Sequence, residues 1–98
     1  MRKVVISDLV LRKITELESY LINELKLSET AALHRSARMR AFVHSLNLPA
    51  DYPLCRFKRW CTLGYRCAVF EKNWIFAYEI FAGGIIIRDI SHTSALHD

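Results

Sequence analysis

The chain changes its hydrophobic period once, at "LPADYPL" (residues 48–54), and that change limits the folds open to it. Before it, apolar residues recur every three or four positions; after it, they alternate. Two prolines, Pro49 and Pro53, mark the boundary and stop any helix that approaches it. Helical segments kept apart from strand segments predict an α+β fold, with helices packed on one face of an antiparallel sheet.

Upstream, "KVVIS" is a short β-branched run that reads as a strand. Ser7 or Asp8 can cap the helix that follows, in which Val10, Ile14, Leu17, Leu21 and Leu25 form one stripe. Arg12, Lys13, Glu16, Glu18 and Glu24 take the other faces, with Arg12 and Glu16 four apart. A second helix starts at Ser28, has Glu29 in its first turn, and repeats Met39, Phe42, Val43 and Leu46 at helical spacing. The short link "KLSE" predicts an antiparallel helical hairpin.

Downstream, "CRFKRW" alternates imperfectly and reads as a strand, ended by a turn at "TLG". "YRCAVF", "WIFAYEIFA" and "IIIRDISH" are three more strands, joined at "EKN" and "GG". In the last of them the alternation puts Ile85, Ile87, Asp89 and Ser91 on one side and Ile86, Arg88, Ile90 and His92 on the other. The expected order is an N-terminal strand, the two-helix hairpin, and then a mainly antiparallel meander packed against it. At 98 residues, 1–98 makes a single domain, because two halves would each be too small to bury a core.

Charge is unevenly placed. Residues 1–29 carry five cations and five anions, and residues 71–98 carry two cations against four anions. Residues 30–70 hold seven cations (Arg35, Arg38, Arg40, Arg56, Lys58, Arg59 and Arg66) against Asp51 alone. So pure a basic stretch points to nucleic acid, the ribosome or an acidic protein as partner. Arg35 and Arg38 lie one turn apart on the second helix, and Arg66 faces Arg56, Lys58 and Arg59 across one turn, where strand pairing would gather them. The competing role for Arg66 is an ion pair with Glu71, Glu79 or Asp89.

No apolar run approaches the roughly 20 residues that span a bilayer, and charges interrupt the N-terminal apolar stretch that a signal peptide would need. Cys55, Cys61 and Cys67 are odd in number and form no CxxC pair. Along one strand, residues six apart lie about 20 Å from each other, too far to share a metal unless the chain folds back. They are expected to be small buried apolar residues of a cytoplasmic protein, with no metal and no cofactor. Trp60 and Trp74 are expected in the packing of the sheet.

The order of elements, with the Leu-x-x-Pro exit at Leu46 to Pro49, the pair Tyr65 and Arg66, the aromatic strand around Tyr78 and the ending Ile87, Ile90 and His92, resembles the RelE/ParE superfamily. These are toxins of type II toxin-antitoxin modules, also called plasmid stabilisation proteins, and the likeness covers nearly the whole chain. It implies a growth inhibitor neutralised by a cognate antitoxin with an acidic amphipathic segment. Two activities occur in the superfamily: ribosome-dependent cleavage of mRNA, and binding of DNA gyrase without hydrolysis.

For the nuclease branch the resemblance implies catalytic roles for Arg66, His92 and Lys58, with Arg56, Arg59, Arg38 and Arg35 holding the target. Cleavage through a 2′-OH needs a base, an acid and cations around one phosphate. No Tyr follows His92, leaving His97 as the other titrating residue of the tail, and the Arg common after that His in gyrase-directed members is absent. Two other readings remain beside the toxin: a non-toxic basic nucleic-acid-binding module, and an inactive toxin remnant.

Overall fold

The computed structural model describes residues 2–48 and 51–95. Strand β1 (Lys3–Ile6) leads into helix α1 (Asp8–Asn23), and helix α2 (Glu29–His44) returns beside it and ends in a 3-10 turn at Ser45–Asn47. Both helices start as the sequence predicts. The Ser7 hydroxyl accepts the Val10 N–H and the Ser28 hydroxyl accepts the Ala31 N–H, each satisfying a donor of the first turn. A one-turn helix α3 (Lys58–Cys61) precedes β2 (Arg66–Phe70), β3 (Trp74–Phe81) and β4 (Gly84–His92).

The four strands form one sheet in the order β1-β4-β3-β2. The last three are an antiparallel meander, and β1 pairs in parallel with β4, Lys3 opposite Gly84 and Ile6 opposite Ile87. The fold is therefore α+β with a mixed sheet, the helical hairpin lying on one face. Val10, Ile14, Met39, Val43 and Leu46 pack there against Ala68, Phe70, Phe76, Tyr78, Ile85, Ile87 and Ile90. The Phe42 ring bridges the layers, 5.1 Å from Phe70 and 5.8 Å from Phe76.

Two expectations fail locally. "CRFKRW" is not a full strand: Leu54 makes a single bridge to Arg66, and the chain then turns into α3, where the Cys61 N–H reaches the Phe57 carbonyl at 2.7 Å. The turn buries Trp60, with Cys55, against Ile75 and Ala77 on the sheet face away from the hairpin. An exposed strand would have left that indole in water. The second concerns β4, where the register with β3 shifts at Ala77/Tyr78, so that Arg88 is an extra residue. This bulge reverses the alternation, and Ile90 and His92 fall on the hairpin side with Ile85 and Ile87.

The cysteines also depart from expectation. Cys55 and Cys67 form a disulfide, with Cα atoms 4.9 Å apart, while Cys61 is free and exposed. The fold-back through α3 brings the first and third together across the Leu54–Arg66 bridge. Among the described residues no helix is long and apolar enough to cross a membrane.

Candidate functional site

Arg66 opens β2 opposite Tyr78. Strand alternation puts it on the side of Ala68 and Phe70, facing the hairpin layer. Its Nη1 donates to the Tyr52 carbonyl at 2.8 Å, and the Tyr52 N–H donates to the Tyr78 hydroxyl at 2.9 Å. That hydroxyl donates in turn to Asp51 Oδ1 at 3.3 Å. Arg2 completes the group: its Nη1 lies 2.6 Å from the same Asp51 oxygen, its Nε donates to the Leu46 carbonyl at 3.0 Å, and its guanidinium sits 5.9 Å from the Tyr78 ring centroid. Arg2 Nη2 is buried with no hydrogen-bond partner among the described residues.

The electrostatics follow from this packing. The hydrogen bond from Arg2 holds the Asp51 carboxyl below its usual 3.8, helped by the Arg2 charge, Tyr78 and Arg66 and opposed by burial. Burial pushes the Tyr78 phenol above 10.0. Among the described residues Arg66 makes no salt bridge, although its charge helps to lower the Asp51 carboxyl. The acids considered for it are engaged elsewhere: Glu71 with Arg38 at 3.5 Å, Glu79 with Arg88 at 3.5 Å, and Asp89 with Lys13 at 2.6 Å and Arg59 at 4.0 Å. The Arg66 guanidinium is held in place by a neutral carbonyl.

His92 ends β4 in a different place. Its Nδ1 lies 2.7 Å from the Ser94 hydroxyl and 3.1 Å from the Ser94 N–H. A backbone N–H can only donate, so Nδ1 accepts and the proton of the neutral ring sits on Nε2. Trp74 meets the imidazole edge-on at 5.0 Å. Together they line a cavity of about 400 Å³ with Tyr20, Asn73, Ser94 and Arg35. The fold therefore joins His92 with Arg35, and Arg38 is one helical turn away.

Arg56, Lys58 and Arg59 form a third location, on the opposite face. Lys58 begins α3, Arg59 lies over the Trp60 ring at 4.7 Å, and Arg56 lines a groove of about 280 Å³ with Phe57, Cys67, Val69 and Ile75. Across the sheet, Trp74 pairs with both Phe70 and His92, four residues along from the Arg66–Tyr78 pair. At about 3.3 Å per residue and about 4.8 Å per strand, the Cα atoms of Arg66 and His92 stand about 16 Å apart. The candidate catalytic residues Arg66, His92 and Lys58 therefore occupy three places.

Arg2 and Tyr52 carry no signal in the sequence that would mark them as partners of Arg66. Asp51 does carry one, as the single acid in the basic stretch. His97 and Pro49 lie outside the described residues. Compared with protein-family models and with curated proteins, the chain matches none.

Proposed function

We propose that this chain is a growth-inhibiting toxin of the RelE/ParE type that acts by holding its target rather than by cutting it. The observation that carries the mechanism is the separation of Arg66, His92 and Lys58. In-line cleavage of RNA needs its base, acid and cations within hydrogen-bond reach of one phosphate. Arg66 and His92 are engaged by different partners with Cα atoms about 16 Å apart and Lys58 lies on the other face, an arrangement that suits gripping a protein surface at separate points better than converging on one phosphate. DNA gyrase is thus the favoured target and the ribosome-bound message the alternative.

The toxin reading rests on the order of elements, a strand, a helical hairpin and an antiparallel meander ending at His92, together with the short motifs in that order. The cognate antitoxin would supply acidic residues to the basic middle stretch, so their complex should weaken as salt is raised. The proposed compartment is the cytoplasm.

Expression of the chain alone is the test. Arrested growth with DNA breaks, an SOS response and intact transcripts is the expected result. Transcripts cut at translating ribosomes would replace the mechanism, and normal growth with folded protein present would leave the nucleic-acid-binding module or the remnant.

A further inference from the structure

We propose that the groove beside the Cys55–Cys67 bond is a thiol-exchange site that takes a small anionic thiol of the glutathione class. The proposal stands apart from the toxin reading. It rests on the asymmetry between the two cysteines and on what surrounds the more exposed one.

Cys55 is buried at 3 % exposure, whereas Cys67 is partly exposed and lines the groove of about 280 Å³. Of the two, Cys67 is the residue that borders the groove, so its sulfur is the proposed point of attack for an incoming thiolate. The groove is otherwise apolar, walled by Pro53, Leu54, Phe57, Val69 and Ile75, and among the described residues its one charged member is Arg56. That cation attracts a thiol bearing carboxylates and favours the thiolate over the thiol at the point of attack.

The chemistry balances with the thiol as reductant. A thiolate attacks Cys67 Sγ, a new S–S bond joins them, and the electron pair of the old bond leaves on Cys55 as a thiolate, which takes a proton from water. A second thiol attacks the mixed disulfide, giving the dithiol protein and the oxidised thiol. Two electrons and two protons pass to the protein.

The backbone is arranged for the reverse step as well. The Cys55 N–H bonds to the Tyr65 carbonyl at 2.9 Å and the Cys67 N–H to the Pro53 carbonyl at 3.2 Å. These bonds hold the two residues side by side without help from the sulfurs. Exchange then opens and closes a ring that contains Arg56, Lys58, Arg59 and Arg66 and no acid.

The test compares reduction of the full chain by glutathione and by 2-mercaptoethanol, a neutral thiol. Iodoacetamide labels count the thiols: one label, on Cys61, before reduction and three after. Arg56→Ala, a change at an exposed position, is expected to slow both thiolates, and glutathione about fivefold more than 2-mercaptoethanol, the scale of one contact charge pair in water, because only glutathione carries carboxylates as well. Acid-quenched intermediates should carry glutathione on Cys67. An unchanged ratio of the two rates, glutathione found on Cys55, or a reduced chain that oxidised glutathione fails to close would each overturn the proposal.

Discussion

The Arg66 guanidinium donates to the Tyr52 carbonyl at 2.8 Å, so the strand cation is held by a neutral acceptor. That decides between two outcomes of removing it. Stranding a buried carboxylate would cost about 3–5 kcal/mol, but loss of one hydrogen bond from a charged donor costs about 1.5–3 kcal/mol. Arg66→Ala is therefore expected to stay folded, with a urea midpoint lowered by the smaller amount, and to lose growth inhibition. Arg66→Lys should rescue poorly, since an ammonium lacks the planar fork. A stable and fully toxic alanine variant would reduce Arg66 to surface charge.

Tyr78 sits fully buried with its hydroxyl between the Tyr52 N–H and Asp51. In Tyr78→Phe the ring still fills the core, but the Tyr52 N–H loses its acceptor, at a cost of about 1–3 kcal/mol. The phenol adds a second signature. Its folded pKa is raised above 10.0 by burial, so the unfolded chain releases the proton first, and wild-type stability falls as pH rises past about 10. The gap between wild type and Tyr78→Phe, read by urea melts, should shrink over that range.

Local periodicity made much of the helical layer readable. Val10, Ile14 and Leu21 of the α1 stripe and Met39, Val43 and Leu46 of the second stripe are buried as their spacing implies, although Leu25 is exposed. What periodicity cannot carry is pairing between distant residues. Nothing near Lys3 says that it meets Gly84, and nothing near Arg66 says that it meets Tyr52. The bulge at Arg88 is equally silent, yet it turns His92 from one face of the sheet to the other. The Cys55–Cys67 bond was hidden for a related reason, since a continuous strand over 55–60 would have carried the two sulfurs apart.

Gly84 illustrates the distant pairing in its strictest form. A Cβ built on it would run into the Lys3 backbone, including the carbonyl oxygen. Backbone of β1 cannot give way cheaply, because the Lys3 N–H is tied to the Gly83 carbonyl at 3.2 Å and the Ser7 N–H to the Ile87 carbonyl at 3.1 Å. Gly84→Ala should thus displace β1 from β4 and destabilise by about 3 kcal/mol, the upper end of ordinary overpacking. Gly64→Ala is the contrast: its surroundings are open, and only its φ of 74° opposes a side chain, for about 1–2 kcal/mol. Hydrogen exchange should show loss of β1 protection in the first variant alone.

The pair of Arg2 and Asp51 sets the acid limit of this corner of the fold. Arg2 lies mostly out of solvent, and its Nη1 is 2.6 Å from Asp51 Oδ1. The hydrogen bond from Arg2 is the largest influence on the carboxyl and holds its pKa below 3.8 in the folded chain. A depressed carboxylate contributes stability that is complete above the unfolded value and fades as pH falls through the folded one. The stabilisation from Asp51 should therefore be constant at neutral pH, begin to fade below about pH 4 and be lost as pH falls through the lowered folded value. In Asp51→Asn it is missing at every pH. Urea midpoints of wild type and variant are expected to differ at neutral pH and to converge in acid; a difference that persists in acid would mean that Asp51 acts through packing, and that the Arg2 charge contributes little.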